Sequence, residues 1–232
     1  MTTKTLNISE EQLVDYSKAH NEPSWMTELR KKALKLTETL EMPKPDKTKL
    51  RKWDFDTFKQ HHTTGDAYTQ LTDLPKSVKE IIDVENSENL IIQHNNELAY
   101  TQVSDQAKHD GVIIEGLSEA LVNHSDLVQK YFMTKAVDVD EHRLTALHTA
   151  LVNGGIFVYV PKNTVVEHPI QYVVLHDDEQ ASFYNHVIIV TEESAEVTYV
   201  ENYLSTTSGE DNQLNIVSEV IAGANSNVTY GR

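Results

Sequence analysis

Apolar positions recur at two different spacings along this chain, and the change falls within residues 153–175, NGGIFVYVPKNTVVEHPIQYVVL. Upstream the spacing is three and four, the signature of helices with one covered face. Downstream it is two, or none at all, as in strands covered on one or both faces. Ser9-Glu10-Glu11-Gln12 has the form of a capping box, so a helix is expected to start there, with Leu13, Tyr16 and Ala19 as its apolar stripe. Asn21, Glu22 and Pro23 interrupt it. Ser24 is expected to cap a second helix through Leu40, with Trp25, Leu29, Ala33, Leu36 and Leu40 on one side. Pro43 and Pro45 then impose an extended connector, onto which Trp53, Phe55 and Phe58 are expected to cluster.

Residues 61–73 are polar and turn-prone and read as a loop, and Pro75 opens a short helix over 76–82. Two runs, 90–94 and 98–103, flank Asn95-Asn96-Glu97 and predict a hairpin, with a third short strand at 112–115. Ser118 caps the next predicted helix, Ser125 and Asp126 open another reaching about Met133, and Asp140 begins a third. That third helix carries Leu144, Leu147, His148 and Leu151 on one side and is expected to end on Gly154 as a left-handed C-cap.

From Ile156 the pattern is short strands: 156–160, 165–175, 186–191, 195–204, 213–222 and 226–230. Every side chain of 156–160 is β-branched or aromatic, which predicts cover on both faces. Pro161-Lys162-Asn163 supplies a turn, with Asn163 tolerant of a positive φ. No ten-residue helical pattern falls between these strands, so βαβ winding is excluded and a sandwich, a barrel or a β-solenoid remains. No strict repeat is visible to choose among them. The chain thus divides into a helical region with a proline-rich connector (1–60), a mixed α/β region (61–155) and a mainly β region (156–232).

Composition changes this picture in two places. Among 232 residues there is no cysteine, which removes disulfides, thiolate ligands and thiol nucleophiles. The net charge of −16 is uneven: residues 1–60 hold 12 basic against 10 acidic side chains, and residues 61–232 hold 8 against 26. Nucleic acid and anionic membrane surfaces would be repelled, so neither is an expected partner. No run approaches a membrane span, no secretory or transit peptide is read, and a cytoplasmic protein is expected. Arg30, Lys31, Lys32 and Lys35 read as a solvated helix face, since no aromatic residues interleave with them.

The chain contains no glycine-rich phosphate loop, GxSxG, HExxH or EF-hand pattern. Its chemistry-bearing candidates are histidines. His61 and His62 are adjacent on a predicted loop, and His142 and His148 stand six apart on nearly opposite faces of a helix, so neither pair forms one metal site. His168, His176 and His186, with Glu179 nearby, suggest a cupin-type metal-dependent β-barrel enzyme, although the HxH pair of that family is missing. Carboxylate pairs such as Asp138 with Asp140, and Glu192 with Glu193, are what an acidic surface produces freely. No catalytic, cofactor-binding or metal-binding residue is therefore assigned, and an assembly or scaffold role is the leading expectation.

Several segments resemble one family. GGIFVYVPKNTVVEHPIQYVV, then NHVIIVTEESAEVTYVENY and SEVIAGANSNVTY, are similar to the core of the SufB/SufD family of iron-sulphur cluster assembly proteins, and EPSWMTELRKKAL with KWDFDTF to the amino-terminal part of its SufD branch. The resemblance implies a right-handed parallel β-helix preceded by a helical and mixed region, with more coils and a carboxy-terminal helical domain beyond Arg232. It implies a non-catalytic scaffold subunit of a SufBCD complex, paired with a SufB-like paralogue through the β-helix and with a SufC-like ABC ATPase through the later region. The assembled complex would handle an iron-sulphur cluster. No cofactor is expected in this stretch, and no family site residue has a counterpart in it.

Overall fold

The switch in spacing at Gly154 is where helices give way to two sheets lying face to face. The computed structural model describes residues 6–50, 53–55, 59, 65–83, 87–206 and 214–232. Helix α1 (Glu10–Ala19) starts at the expected capping box: Ser9 Oγ accepts from the Gln12 amide, and Gln12 Oε1 accepts from the Ser9 amide at 2.8 Å. Helix α2 (Ser24–Leu36) begins one residue earlier than a Ser24 cap would allow, with Pro23 as N-cap, and stops at Leu36 rather than Leu40. Its buried stripe is Met26, Arg30 and Ala33, so Arg30 leaves the expected solvated face.

Helix α3 (Lys76–Lys79) follows Pro75 as predicted but ends three residues sooner. Strands β1 (Asn89–His94) and β2 (Glu97–Gln102) form the expected antiparallel hairpin, turned by Asn95 at φ 55. Helix α4 (Asp105–His109), capped by Ser104 through the Ala107 amide, was not legible as a helix, being barely longer than one turn. Strand β3 (Ile113–Gly116) runs into α5 (Leu117–Asn123), whose N-cap is Gly116, leaving Ser118 inside the helix. Helix α6 (Ser125–Tyr131) follows, and α7 (Arg143–Leu151) begins after a His142 cap rather than at Asp140.

Six strands complete the chain: β4 (Gly154–Val160), β5 (Ile170–His176), β6 (Phe183–Thr191), β7 (Glu196–Ser205), β8 (Leu214–Ala222) and β9 (Asn227–Gly231). Gly154 is not a C-cap. It is the first residue of β4, and a Cβ there would lie 2.5 Å from Asn185 Oδ1 and from Gln93 Nε2. The predicted strand over 165–175 shortens at its start, leaving Val165 as an isolated bridge to Glu196. Phe58, His61 and His62 lie outside the described residues; Trp53 and Phe55 do stack, with centroids 6.0 Å apart.

From β4 onward, consecutive strands alternate between the two sheets. One has the order β2-β1-β5-β7-β9 and the other β3-β4-β6-β8. Both are mixed: β1–β2 and β3–β4 are antiparallel, and every other pairing is parallel. Among the described residues neither sheet closes on itself, so they form no barrel of the kind a cupin would need. The register carries a period that the side chains hide. Val160 lies beside Thr191 and Thr191 beside Ala222, 31 positions on each time, and Glu196 pairs with Asn227 at the same interval. Asn163, Ser194 and Asn225, again 31 apart, all have φ near 60°, and the amides of Asn163 and Ser194 donate to the next turn at Glu193 and Ala224. The interval falls to 29 between Ile170 and Tyr199, because the stretch holding His168 and Pro169 adds two residues after Val165.

Four layers result. Ile156, Val158, Val187 and Ile189 from one sheet meet Ile91, Tyr172, Val174 and Tyr199 from the other between the two sheets. Phe157, Ile188 and Val190, on the opposite face, pack against Leu147, Leu151 and Phe132 of the helical layer. Leu90, Ile92, Val173 and Leu175 face Leu74, Val78 and Ile82. The central strands β1, β4, β5 and β6 are therefore covered on both faces and read as largely apolar runs, whereas β7 alternates and β8 and β9 stay partly exposed. Burying each such Val, Ile or Leu contributes about 1.5–3 kcal/mol.

Candidate functional site

Polar side chains that these runs carry into the interior must find partners, because an unpaired buried donor or acceptor costs about 1–3 kcal/mol. Alternation along β6 sends Asn185 toward the space between the sheets and His186 toward the helices. Two buried polar chains form, one on each side.

Between the sheets, Gln93 Oε1 accepts from the Tyr172 hydroxyl and, at 3.0 Å, from the Gly155 amide. Gln93 Nε2 donates to Asn185 Oδ1 at 3.0 Å and to the Asn95 carbonyl at 2.7 Å. Further along, the fully buried Glu201 carboxylate accepts from the hydroxyls of Tyr230 (2.6 Å), Tyr199 (3.0 Å) and Tyr203 (3.4 Å), with Arg232 Nε at 3.5 Å. Burial, followed by the Glu201 charge, pushes the Tyr199 hydroxyl well above its ordinary range. Burial and the hydrogen bond to Glu201 raise Tyr230 to about 12. These hydroxyls stay protonated and act as donors.

On the helical side, His148 comes from α7, a helix buried along nearly its whole length, and is itself fully buried. Its Nδ1 lies 2.8 Å from Asn215 Oδ1 and its Nε2 lies 2.9 Å from His186 Nδ1. His186 Nε2 is 2.9 Å from Glu219 Oε1, and Glu219 also accepts from the amides of Met133 (2.7 Å) and Val137 (3.2 Å). The Phe132 ring covers His186, with centroids 4.5 Å apart. His148, His186 and Glu219 are all fully buried. Burial first, and the neighbouring His186 second, hold His148 well below the usual imidazole range, so it is neutral. The chain joins α7, the 133–137 turn, β6 and β8.

The three histidines of the barrel reading do not converge. His168 sits before β5, where its carbonyl accepts from Asn89 Nδ2 at 2.9 Å. His176 ends β5, with Nε2 on the Asp178 carbonyl at 2.8 Å and its ring against Phe183. His186 lies in the other sheet and faces the helices. Glu179 contributes its carbonyl to Lys59 Nζ at 2.6 Å. His142 accepts from the Thr145 amide as the cap of α7, well apart in role from His148. Among the described residues, no group of three His, Asp or Glu side chains is arranged to hold a metal ion. Sequence reasoning missed the pairing of His148 with His186 and Glu219. The available signal was His186 standing at the head of the apolar run 187–190.

The arrangement is a set of largely buried tie points between elements. Residues 10–172 match the model of the SufBD protein N-terminal region, and residues 173–232 match that of the SUF system FeS cluster assembly, SufBD core domain. The chain belongs to the SufB/SufD family. Its similarity to the iron-sulfur cluster assembly protein SufD of Bacillus subtilis is 48% identity over 227 residues, covering 97% of this chain and 52% of that protein. An iron-sulfur cluster assembly SufBD family protein of Staphylococcus epidermidis is 26% identical over 233 residues, covering 96% of this chain and 50% of its own. One from Mycobacterium tuberculosis is 29% identical over 207 residues, covering 85% and 24%. The SufB/SufD chain described here thus spans about half the length of its Bacillus and Staphylococcus relatives. No helix among the described residues is long and apolar enough to cross a membrane.

Proposed function

We propose that this chain is part of a non-catalytic scaffold subunit of a SufBCD-type iron-sulphur cluster assembly complex, working in the cytoplasm. The observation that carries the reading is the match of both family models over residues 10–232, with 48% identity to a SufD protein. The 31-residue register supports a second part of the proposal: that the alternating strands are successive coils of a right-handed parallel β-helix, with residues 1–155 packed as its lead-in. Right-handedness follows from the strong preference of parallel crossover connections. A coil stack presents long, regular flanks to other subunits. The SufB-like paralogue would pair through these coils, and a SufC-like ABC ATPase would dock on a part of the protein outside residues 1–232. The cluster is then cargo of the assembled complex and not a cofactor of this stretch.

The buried polar groups favour scaffold over enzyme, since Gln93, Asn185, Glu201, His148, His186 and Glu219 are all engaged with one another or with tyrosines and backbone. Depletion of the full-length protein in its host tests the role. Enzymes that carry iron-sulphur clusters should lose activity while their polypeptide levels hold. Unchanged cluster occupancy after depletion would remove the proposal.

A further inference from the structure

The helical layer touches the second sheet mostly through apolar side chains, and the His148–His186–Glu219 chain is a fully buried polar contact among them. We propose that the contact between His148 and His186 is an acid-sensitive latch that holds α7 and the 133–137 turn onto β6 and β8.

The argument is one of proton count. His148 Nε2 and His186 Nδ1 stand 2.9 Å apart and share one proton, so one nitrogen donates and the other accepts. A second proton in that gap removes the acceptor and sets N–H against N–H. Charge at the two rings is matched unequally. Glu219 touches His186 on its far nitrogen, Nε2, so a positive His186 has a carboxylate against it. His148 has Asn215 on its other nitrogen, and on the α2 side the guanidinium of Arg30 acts on it unfavourably, although that cation is itself paired with Glu22 at 2.6 Å. From β6 the Tyr184 ring lies 6.3 Å from His148, and Phe132 covers His186. Every group named against His148 is thus neutral or positive, and both rings are fully buried.

Opening the latch returns His148 to water, where an imidazole titrates near 6.5. Below that pH, the open form binds a proton that the closed form refuses. The open population therefore rises by up to about tenfold per pH unit for one histidine. The 133–137 turn follows, because its Met133 and Val137 amides are held by the same Glu219. Opening is local, since the space between the two sheets shares none of these groups.

Hydrogen exchange of the full-length protein between pH 7.5 and 5, corrected for intrinsic rates, reads the latch. Peptides covering 133–137 and 143–151 should lose protection by about tenfold per unit below pH 6.5, while peptides from 170–176 keep theirs. In His148→Gln, which keeps a donor and an acceptor without a titrating ring, the helical peptides should show no such slope; His109→Gln, at an exposed histidine ending α4, should behave as wild type. A flat wild-type profile, an equal slope in His148→Gln, or a uniform loss across the chain would overturn the proposal. If His148→Gln does not fold, imidazole nitrogen shifts of the wild type decide. His148 should stay neutral until the helical peptides open, and titration near pH 6.5 with protection intact would refute the latch.

Discussion

Gly155 is the position at which one added carbon should cost most. Its φ of +137° lies where residues with a side chain are rarely found, and a Cβ built there would collide with the His186 carbonyl oxygen and sit 2.7 Å from its nitrogen. Both obstacles are backbone of the adjacent parallel strand, so no rotamer change relieves them. Gly155→Ala should cost about 1–3 kcal/mol for the backbone conformation and about 1–3 kcal/mol more for displacing β4 from β6. The total of about 2–6 kcal/mol is a large share of the 5–15 kcal/mol that typically holds a domain folded. Gly231→Ala is the matched control, because a Cβ there meets Val200 at an ordinary 3.5 Å. Denaturant titrations of both variants in the full-length protein, followed by circular dichroism, give the difference directly. Gly231→Ala is expected within about 0.5 kcal/mol of wild type. Equal midpoints for the two variants would refute the close strand approach.

Three further outcomes follow from buried or capping groups. Arg30→Met leaves the Glu22 carboxylate buried opposite no cation and should cost about 3–5 kcal/mol, whereas Arg30→Met with Glu22→Leu should recover most of that in a double-mutant cycle. Ser9→Ala removes the α1 cap and should cost about 1 kcal/mol by urea midpoint. His148 has a folded-state pKa below its unfolded one, so the unfolded chain binds more protons. Its contribution to stability is whole above pH 6.5 and should fall by up to about 1.4 kcal/mol per pH unit below it, a slope that His148→Gln should lose in paired titrations at pH 7.5 and 5.5.

Local signals were the legible part of this fold. The Ser9 box, the Asn95 turn and the positive φ of Asn163 each depend on residues within four positions of one another. The strands from β4 to β6 were legible because cover on both faces demands long apolar runs. Their 31-residue period was not, since an interior position accepts any apolar side chain of suitable size and only the backbone register has to recur. Arg30 read as part of a charged face because its partner, Glu22, stands on the far side of Pro23 and eight residues away. The His148 chain joins residues 38 positions apart and continues to Glu219, so only tertiary packing assembles it. His176 and His186, close in sequence, are separated by the turn that moves the chain from one sheet to the other.

The scaffold reading is tested most directly by sedimentation of the purified full-length protein mixed with the SufB-like paralogue and SufC-like ATPase proposed as its partners. One boundary containing all three polypeptides is the expected result, with iron and sulphide retained by the assembled complex. Three separate boundaries, with stoichiometric metal on this protein alone, would contradict it.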